Sequence, residues 1–278
     1  DLTKSLNGVF AFAGAEKWVF ADHLLNVPMA TIATTPAEAK NIEKEKIDAA
    51  KPAFKAYAEA LKFMTEHAAG LKGHASRGPE LINAANYGYD QTVQMFADGN
   101  ALFIQQGNWA YSNIEKINPE TAKNVSFIPL KMPFTDEMIQ DGRTAEQINS
   151  SIIVTTGNYY AINAKVSEEQ QKQAVEFLTW MEKEENVQKW IIDSFKFIPY
   201  NVTPEMKLEN PLSESIQKYL SAGQTFNDTV VGTPKTWSGE KVGTALLEQY
   251  IGKEEWDDET LDQIADLCVN SWKELKAE

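Results

Sequence analysis

The sequence predicts an α/β fold that finishes in helices. Two observations carry that prediction: short apolar runs of strand length alternate with amphipathic stretches of helical period as far as Phe197, and only helical periods follow. Length sets the scale. The 278 residues exceed the ~250 at which a single core usually stops growing, so one large domain or two smaller ones are both allowed.

Taken in order, Val9-Phe10-Ala11-Phe12-Ala13 reads as a short buried strand closed by Gly14, and a helical pattern runs from Trp18 through Leu25 with Pro28 near its end. A long helix is predicted over 44–68, because Phe54, Tyr57, Leu61, Met64 and Ala68 are spaced to share one face while Lys55, Glu59, Lys62 and Glu66 occupy the other. Gly70, Gly73, Gly78 and Pro79 make 70–80 a loop. Tyr89–Ala97 is the next helix, striped by Tyr89, Val93, Phe96 and Ala97, and Gly99 ends it. Ala101–Gln105 is a strand, Gly107 turns the chain into a short helix Trp109–Ile114, and Val125–Leu130 is a further strand.

Residues 131–149 read as a polar, irregular surface excursion. Two strands, Ser151–Thr156 and Tyr159–Asn163, flank Gly157. A helix follows over 167–193, with Ser167 and Gln170 as a capping box and Ala174, Phe177, Leu178, Met181, Trp190 and Ile191 as its buried stripe. Helices at about 213–221, 239–251 and 257–275 complete the chain, the last capped by Asp257 or Asp258.

Composition excludes several partners. Forty acidic residues against 26 Lys plus Arg give a formal net charge of −14, which repels phosphate backbones and anionic lipid, so no nucleic-acid partner is expected. No apolar run approaches the ~20 residues of a membrane span. The lone Cys268 sits in a helical apolar pattern, as a buried inert thiol does. The start, Asp1-Leu2-Thr3-Lys4, has neither the basic nor the apolar region of a signal peptide.

Phosphate-cradling glycine motifs and the G-x-S-x-G nucleophile elbow are missing, and His23, His67 and His74 lack metal-ligand spacing, so no metal and no cofactor is expected. Acidic pairs such as Glu184-Glu185, Glu254-Glu255 and Asp257-Asp258 could suggest a glycosidase, but they fall at helix ends and on polar faces, where solvation or the helix dipole accounts for them.

What stands out is tryptophan in loops that precede helices. Trp109, in Gly107-Asn108-Trp109-Ala110-Tyr111-Ser112-Asn113, lies at a strand-to-helix junction, the place where α/β proteins bind ligands. Trp18 and Trp237 occupy loops of the same kind. A flat indole stacks on the apolar face of a pyranose, and the helix start at Asn108 brings free backbone N–H donors. A lone loop tryptophan serves as core packing more often than as a ligand platform; three of them together favour the platform. Trp180, Trp190, Trp256 and Trp272 fit helix stripes or starts and read as core.

The same residues resemble a family. Phe96-Ala97-Asp98-Gly99-Asn100-Ala101-Leu102-Phe103-Ile104-Gln105-Gln106-Gly107-Asn108-Trp109, followed by Tyr111-Ser112-Asn113-Ile114, is similar to the matching segment of extracellular solute-binding proteins of the maltose-binding type, the sugar-binding components of bacterial ABC importers. Trp18, His23 and Asn26 resemble that family's W-x-x-x-x-H-x-x-N helix. Ala174–Trp180, A-V-E-F-L-T-W, resembles its A-x-x-F-L-x-W helix, and Phe197-Ile198-Pro199 the place where the chain re-crosses between lobes.

The resemblance implies a periplasmic-binding-protein-like fold of type II. Residues 1–156 and 202–278 would be the C-terminal lobe, and 157–201 a returning strand and helix of an N-terminal lobe whose first part is not in this sequence. It implies Trp109 as the main sugar-stacking group, with Trp18, Tyr89 and Trp237 as further walls, Glu16 as a hydroxyl acceptor, and Asn108 and Tyr111 beside them. It implies a non-enzymatic monomer, periplasmic or a cell-surface lipoprotein, that hands a mono- or oligosaccharide to ABC transporter permease subunits. The alternative is a glycoside-processing enzyme using Glu16; peptide, polyamine and iron binding fit the aromatic walls less well. A segment without its lobe should expose apolar surface.

Overall fold

Val9, Phe10 and Ala11 carry no polar side chain, and in the computed structural model, which describes residues 8–70, 77–155, 159–208 and 210–276, Phe10–Ala11 is the buried strand β1. It pairs in parallel with β2, Phe103–Ile104, with Phe10 opposite Phe103, and Ala68 bridges Phe10 from the other side. A second parallel pair joins β3, Ile152–Val154, to β4, Thr225–Asn227, with Ile152 opposite Thr225. Parallel neighbours need long crossovers, which here are built of helices, so helix far outweighs strand.

The predicted helix 44–68 is two helices, Lys44–Ala49 and Lys51–Glu66. Pro52 supplies no amide, and its ring crowds the carbonyl four residues back, so Ala50 relaxes to φ −82° and ψ −6° between them. The apolar face behaves as its spacing requires: Phe54, Tyr57, Leu61, Met64 and Ala68 are all buried. Helix Asp258–Leu275 packs across it, capped by Asp257, whose carboxylate accepts from the Thr260 amide at 2.8 Å. Cys268 is fully buried, which pushes its thiol pKa up. Lys51–Asp266 at 2.6 Å and Lys55–Asp262 at 2.8 Å border this packing; exposed pairs of this kind contribute at most ~1 kcal/mol each.

Three expectations fail. Val125–Leu130 and Tyr159–Asn163 are not strands. The Phe127 amide donates to Ser215 Oγ at 3.0 Å and its carbonyl accepts from the same hydroxyl at 3.1 Å, so a side chain takes the bonds a ladder would have made. Tyr159 and Tyr160 are exposed, and an apolar run without a neighbouring strand gains nothing from extension. The stretch 131–149 is no surface excursion: Met132, Phe134, Ile139 and Ile148 enter the main core, and Asn149 clasps the Met132 backbone at 2.9 Å in both directions. A capping box, Thr144 with Gln147, starts helix Ala145–Asn149. Isolated apolar residues in a polar stretch show no period, so nothing in the pattern announced them.

The predicted helix 167–193 breaks into Glu168–Met181, Glu184–Asn186 and Val187–Ser194. Its capping box of Ser167 and Gln170 forms as expected. The buried stripe does not: Met181 is buried, but Phe177 is 55% and Trp180 40% exposed, their rings stacked on each other at 5.9 Å. Tyr200, Phe195 and Phe197 are exposed as well. Among the described residues, Val187, Ile192 and Leu208 form a small separate core there, with Ile191, Ile198 and Val202 packed against it, so this region holds far less apolar packing than the rest. Near the end of the predicted loop 70–80, Pro79–Ile82 makes a single tight turn, while Gly73, His74 and Gly157 lie outside the described residues.

Candidate functional site

The residues Trp18–His23 form a widened helical turn bonded i to i+5. Val19, Phe20 and Ala21 are its buried side, and Tyr57 Oη donates to the Phe20 carbonyl at 2.6 Å from the core below. In an α-helix at 3.6 residues per turn, positions five apart lie ~140° round the axis; the wider turn swings them toward one face. Trp18 and His23 therefore meet edge to face, with ring centroids 5.0 Å apart.

Trp109 arrives from the other side. It follows β2 and the Gly107 turn, at the start of helix Ala110–Ile117, whose Ala110, Tyr111 and Ile114 pack with Val93, Ala97 and Ile152 in a second core. The Trp109 ring lies against Gly107 so closely that a β-carbon there would overlap the indole; only glycine leaves the ring its place. The ring centroid is 6.3 Å from Trp18 and 5.2 Å from His23, and 40% of the residue faces solvent. Tyr89 completes the wall, 5.9 Å from Trp18.

Glu16 holds these rings together. Its Oε2 accepts from Trp18 Nε1 at 2.9 Å and its Oε1 from the Tyr89 amide at 3.1 Å, so one carboxylate sets both the first indole and the start of helix Tyr89–Ala97. Asn113 Nδ2 donates to Tyr89 Oη at 3.1 Å, and Trp109 Nε1 donates to Gln106 Oε1 at 3.3 Å. Burial raises the Tyr89 phenol pKa, against the opposing pull of the Asn113 bond. Burial lowers the His23 pKa, opposed by the carboxylates of Asp228 and Asp22.

Of the residues singled out in the sequence, Trp109, Trp18, Tyr89 and Glu16 come together, and Trp237 does not. Its ring is 0% exposed, 4.8 Å from Trp272 and 6.0 Å from Phe54, and its Nε1 donates to the Cys268 carbonyl at 2.9 Å. It is a core residue. The segment Trp237–Gly243 turns its indole inward and presents Ser238 instead, whose hydroxyl donates to Asp22 Oδ1 at 2.6 Å. Tyr111 is buried in the second core with its hydroxyl 3.4 Å from Glu115, away from the wall. Asn108 is half-buried beside Trp109, but the helix start is not open: the Ala110 and Tyr111 amides bond back to Gly107 and Asn108 at 3.1 Å. Trp256 and Trp272 are core as expected; Trp180 is not.

Sequence reasoning missed two polar groups and underrated a third. Gln106 and Asp228 each carry a buried polar atom, Nε2 and Oδ1, with no hydrogen-bond partner among the described residues, as does Gln105 Oε1. His23, which the sequence marked only by its lack of metal-ligand spacing and its place after Trp18, stands inside the wall. The position of Gln106 before Gly107 is the signal that could have found it; nothing local marks Asp228, which follows β4 and is brought near by a long-range tie. That tie is Asn26, the last residue of the Trp18-His23-Asn26 pattern: its side chain accepts from the Val230 amide at 2.9 Å and donates to the Asp22 carbonyl at 3.1 Å.

The wall thus collects residues that follow β1, β2 and β4, at the carboxyl ends of parallel strands, where open α/β proteins bind small molecules. The sequence matches the family of bacterial extracellular solute-binding proteins over residues 4–240, most of its length, and the chain belongs to that family. Membership implies a periplasmic-binding-protein-like fold and a generally non-enzymatic protein outside the cytoplasm, binding a small-molecule ligand and working with ABC transporter permeases. No curated protein matches the sequence.

Proposed function

We propose that this chain captures a mono- or oligosaccharide for a bacterial ABC importer of the maltose-binding type, by stacking the sugar on Trp109 and Trp18. The observation that carries it is the joined aromatic surface of Trp18, Tyr89, His23 and Trp109. Its neighbouring rings stand 5.0 to 6.3 Å apart. Rings in mutual contact leave no room for a cation between them, so the surface suits stacking by one face of a ligand rather than an ammonium cage. Asn108 stands beside Trp109, while Tyr111 and Trp237 belong to the two cores and not to the wall.

We further propose that residues up to 156 and from 202 onward form one lobe, and that 157–201 belongs to a second, whose remaining part covers Phe177, Trp180 and Tyr200. Exposed aromatics concentrated in this stretch support that division. The protein acts as a monomer, in the periplasm or anchored as a lipoprotein. Glycoside processing is disfavoured because both oxygens of Glu16 already accept from Trp18 and Tyr89, as a strut rather than a free acid.

Tryptophan fluorescence during titration with neutral mono- and oligosaccharides, on this chain and on Trp109→Ala, tests the proposal. A saturable change lost in the variant is expected. A variant that binds as the parent does removes the platform, and turnover of aryl glycosides removes the binding-only role.

A further inference from the structure

Buried polar atoms in folded proteins nearly always have partners, and those that lack one call for a ligand, water or strain to account for them. Two such atoms adjoin the aromatic wall, and they are of opposite kind. Gln106 reaches it from the Trp109 side: Oε1 is engaged by Trp109 Nε1 at 3.3 Å, which leaves Nε2, a donor, buried without a partner among the described residues. Asp228 stands in the loop after β4 that Asn26 ties to the turn carrying His23, through the Val230 amide at 2.9 Å, and its Oδ1, an acceptor, is likewise unmatched among the described residues. His23 lies between, 5.2 Å from Trp109.

A hydroxyl both donates and accepts, so a polyol satisfies such a pair where an ester or an ammonium satisfies half of it and an alkane none. Charge narrows the ligand further. Glu16, Asp22 and Asp228 place three carboxylates at the site, and the nearby ammonium of Lys17 is turned away to Thr244 Oγ1 at 3.1 Å. An anionic ligand would meet a field of its own sign in a partly desolvated setting.

Resting on the sugar-platform reading, we propose that Gln106 and Asp228 form the polar edge of the site and make it selective for uncharged, hydroxyl-rich sugars over uronates and sugar phosphates. Gln106 Nε2 donates to one sugar hydroxyl oxygen, and Asp228 Oδ1 accepts a hydrogen bond from another hydroxyl. Trp109 supplies the stacking; the edge supplies the choice.

Two nearly isosteric changes test it on the whole chain. Gln106→Glu keeps the acceptor for Trp109 Nε1 and exchanges the free donor for an acceptor; Asp228→Asn can replace the free acceptor by a donor. Binding of neutral di- and trisaccharides and of the matching oligouronates is measured by calorimetry for the parent, both variants and Trp109→Ala, with near-ultraviolet circular dichroism reporting the fold. The parent is expected to prefer the neutral series by tenfold or more, and each variant to lose on the order of tenfold in neutral-sugar affinity with an unchanged spectrum. Asp228→Asn should also narrow the gap between neutral and acidic sugars. Parent-like affinity in both variants while Trp109→Ala loses binding overturns the polar edge and leaves the platform standing. Equal affinity for uronates overturns the charge selection, and a parent that binds no sugar at all removes edge and platform together.

Discussion

Asn26 Oδ1 accepts a hydrogen bond from the backbone amide of Val230 at 2.9 Å, across 204 positions of chain. Both partners are buried, and the Asn26 amide also donates to the Asp22 carbonyl at 3.1 Å. One side chain thereby fixes the loop after β4 against the turn that carries Trp18 and His23. Asn26→Ala leaves the Val230 amide buried without a partner, which costs about 1–3 kcal/mol. Chemical denaturation should show that loss; an unchanged midpoint would mean the loop is held by other means.

Gly107 and Trp109 make a local prediction. Gly107→Ala drives a methyl into the indole, and the ring must leave its place beside Trp18 and His23. The variant is expected to fold, because the glycine holds no left-handed conformation, yet to lose the near-ultraviolet signal of the paired indoles and any sugar-dependent fluorescence. Retention of both would show that the ring is not held as described.

Two tryptophans of similar sequence setting should behave in opposite ways. Trp237→Ala empties a fully buried site and removes the bond to Cys268, a loss of about 3–5 kcal/mol that shows as a lowered denaturation midpoint. Trp109→Ala, at a half-exposed site, should cost about 1 kcal/mol while removing ligand response. The reverse order of costs would return Trp237 to the surface.

His23 gives the pH dependence. Burial lowers its folded-state pKa beneath the ordinary value of 6.5, so the unfolded chain binds more protons in the window between the two values. Its contribution is therefore fully present above pH 6.5 and is lost as pH falls through the lower, folded-state pKa. His23→Gln should flatten the fall in stability below pH 6.5, measured by denaturation at several pH values; an identical slope in the variant would refute it.

Phe177 tests the exposed face of helix Glu168–Met181. Since 55% of the residue meets solvent, Phe177→Ser should change stability by no more than about 0.5 kcal/mol while reducing the binding of an apolar dye. A large loss of stability would place it in a core.

The parts of the fold that show a period were legible: the stripe of Phe54, Tyr57 and Leu61, the Ser167 and Gln170 box, and the Asp257 cap all form as their spacing dictates. Local pattern fails where a long-range partner decides. Phe127 looks like a strand residue until Ser215 takes its backbone bonds, and Phe177 fits a buried stripe but stacks on Trp180 at the surface. The site divides in the same way. Trp109 and Trp18 stand in loops before helices and could be found there, and Tyr89 and Glu16 came only with the family resemblance; Trp237 stands in such a loop too, yet its indole turns inward to Cys268. Asp228 depends on Asn26 and was invisible from its own neighbours.

The contact between Trp18 and Trp109 has an optical consequence. Two indoles with centroids 6.3 Å apart and planes 54° from each other couple their electronic transitions, so they absorb polarised light as a chiral pair rather than as independent chromophores. The remaining tryptophans give the protein a background, but the couplet of this pair changes sign or size only when one ring turns against the other. A ligand that turns one ring against the other would therefore be read in the native spectrum, with no attached label needed.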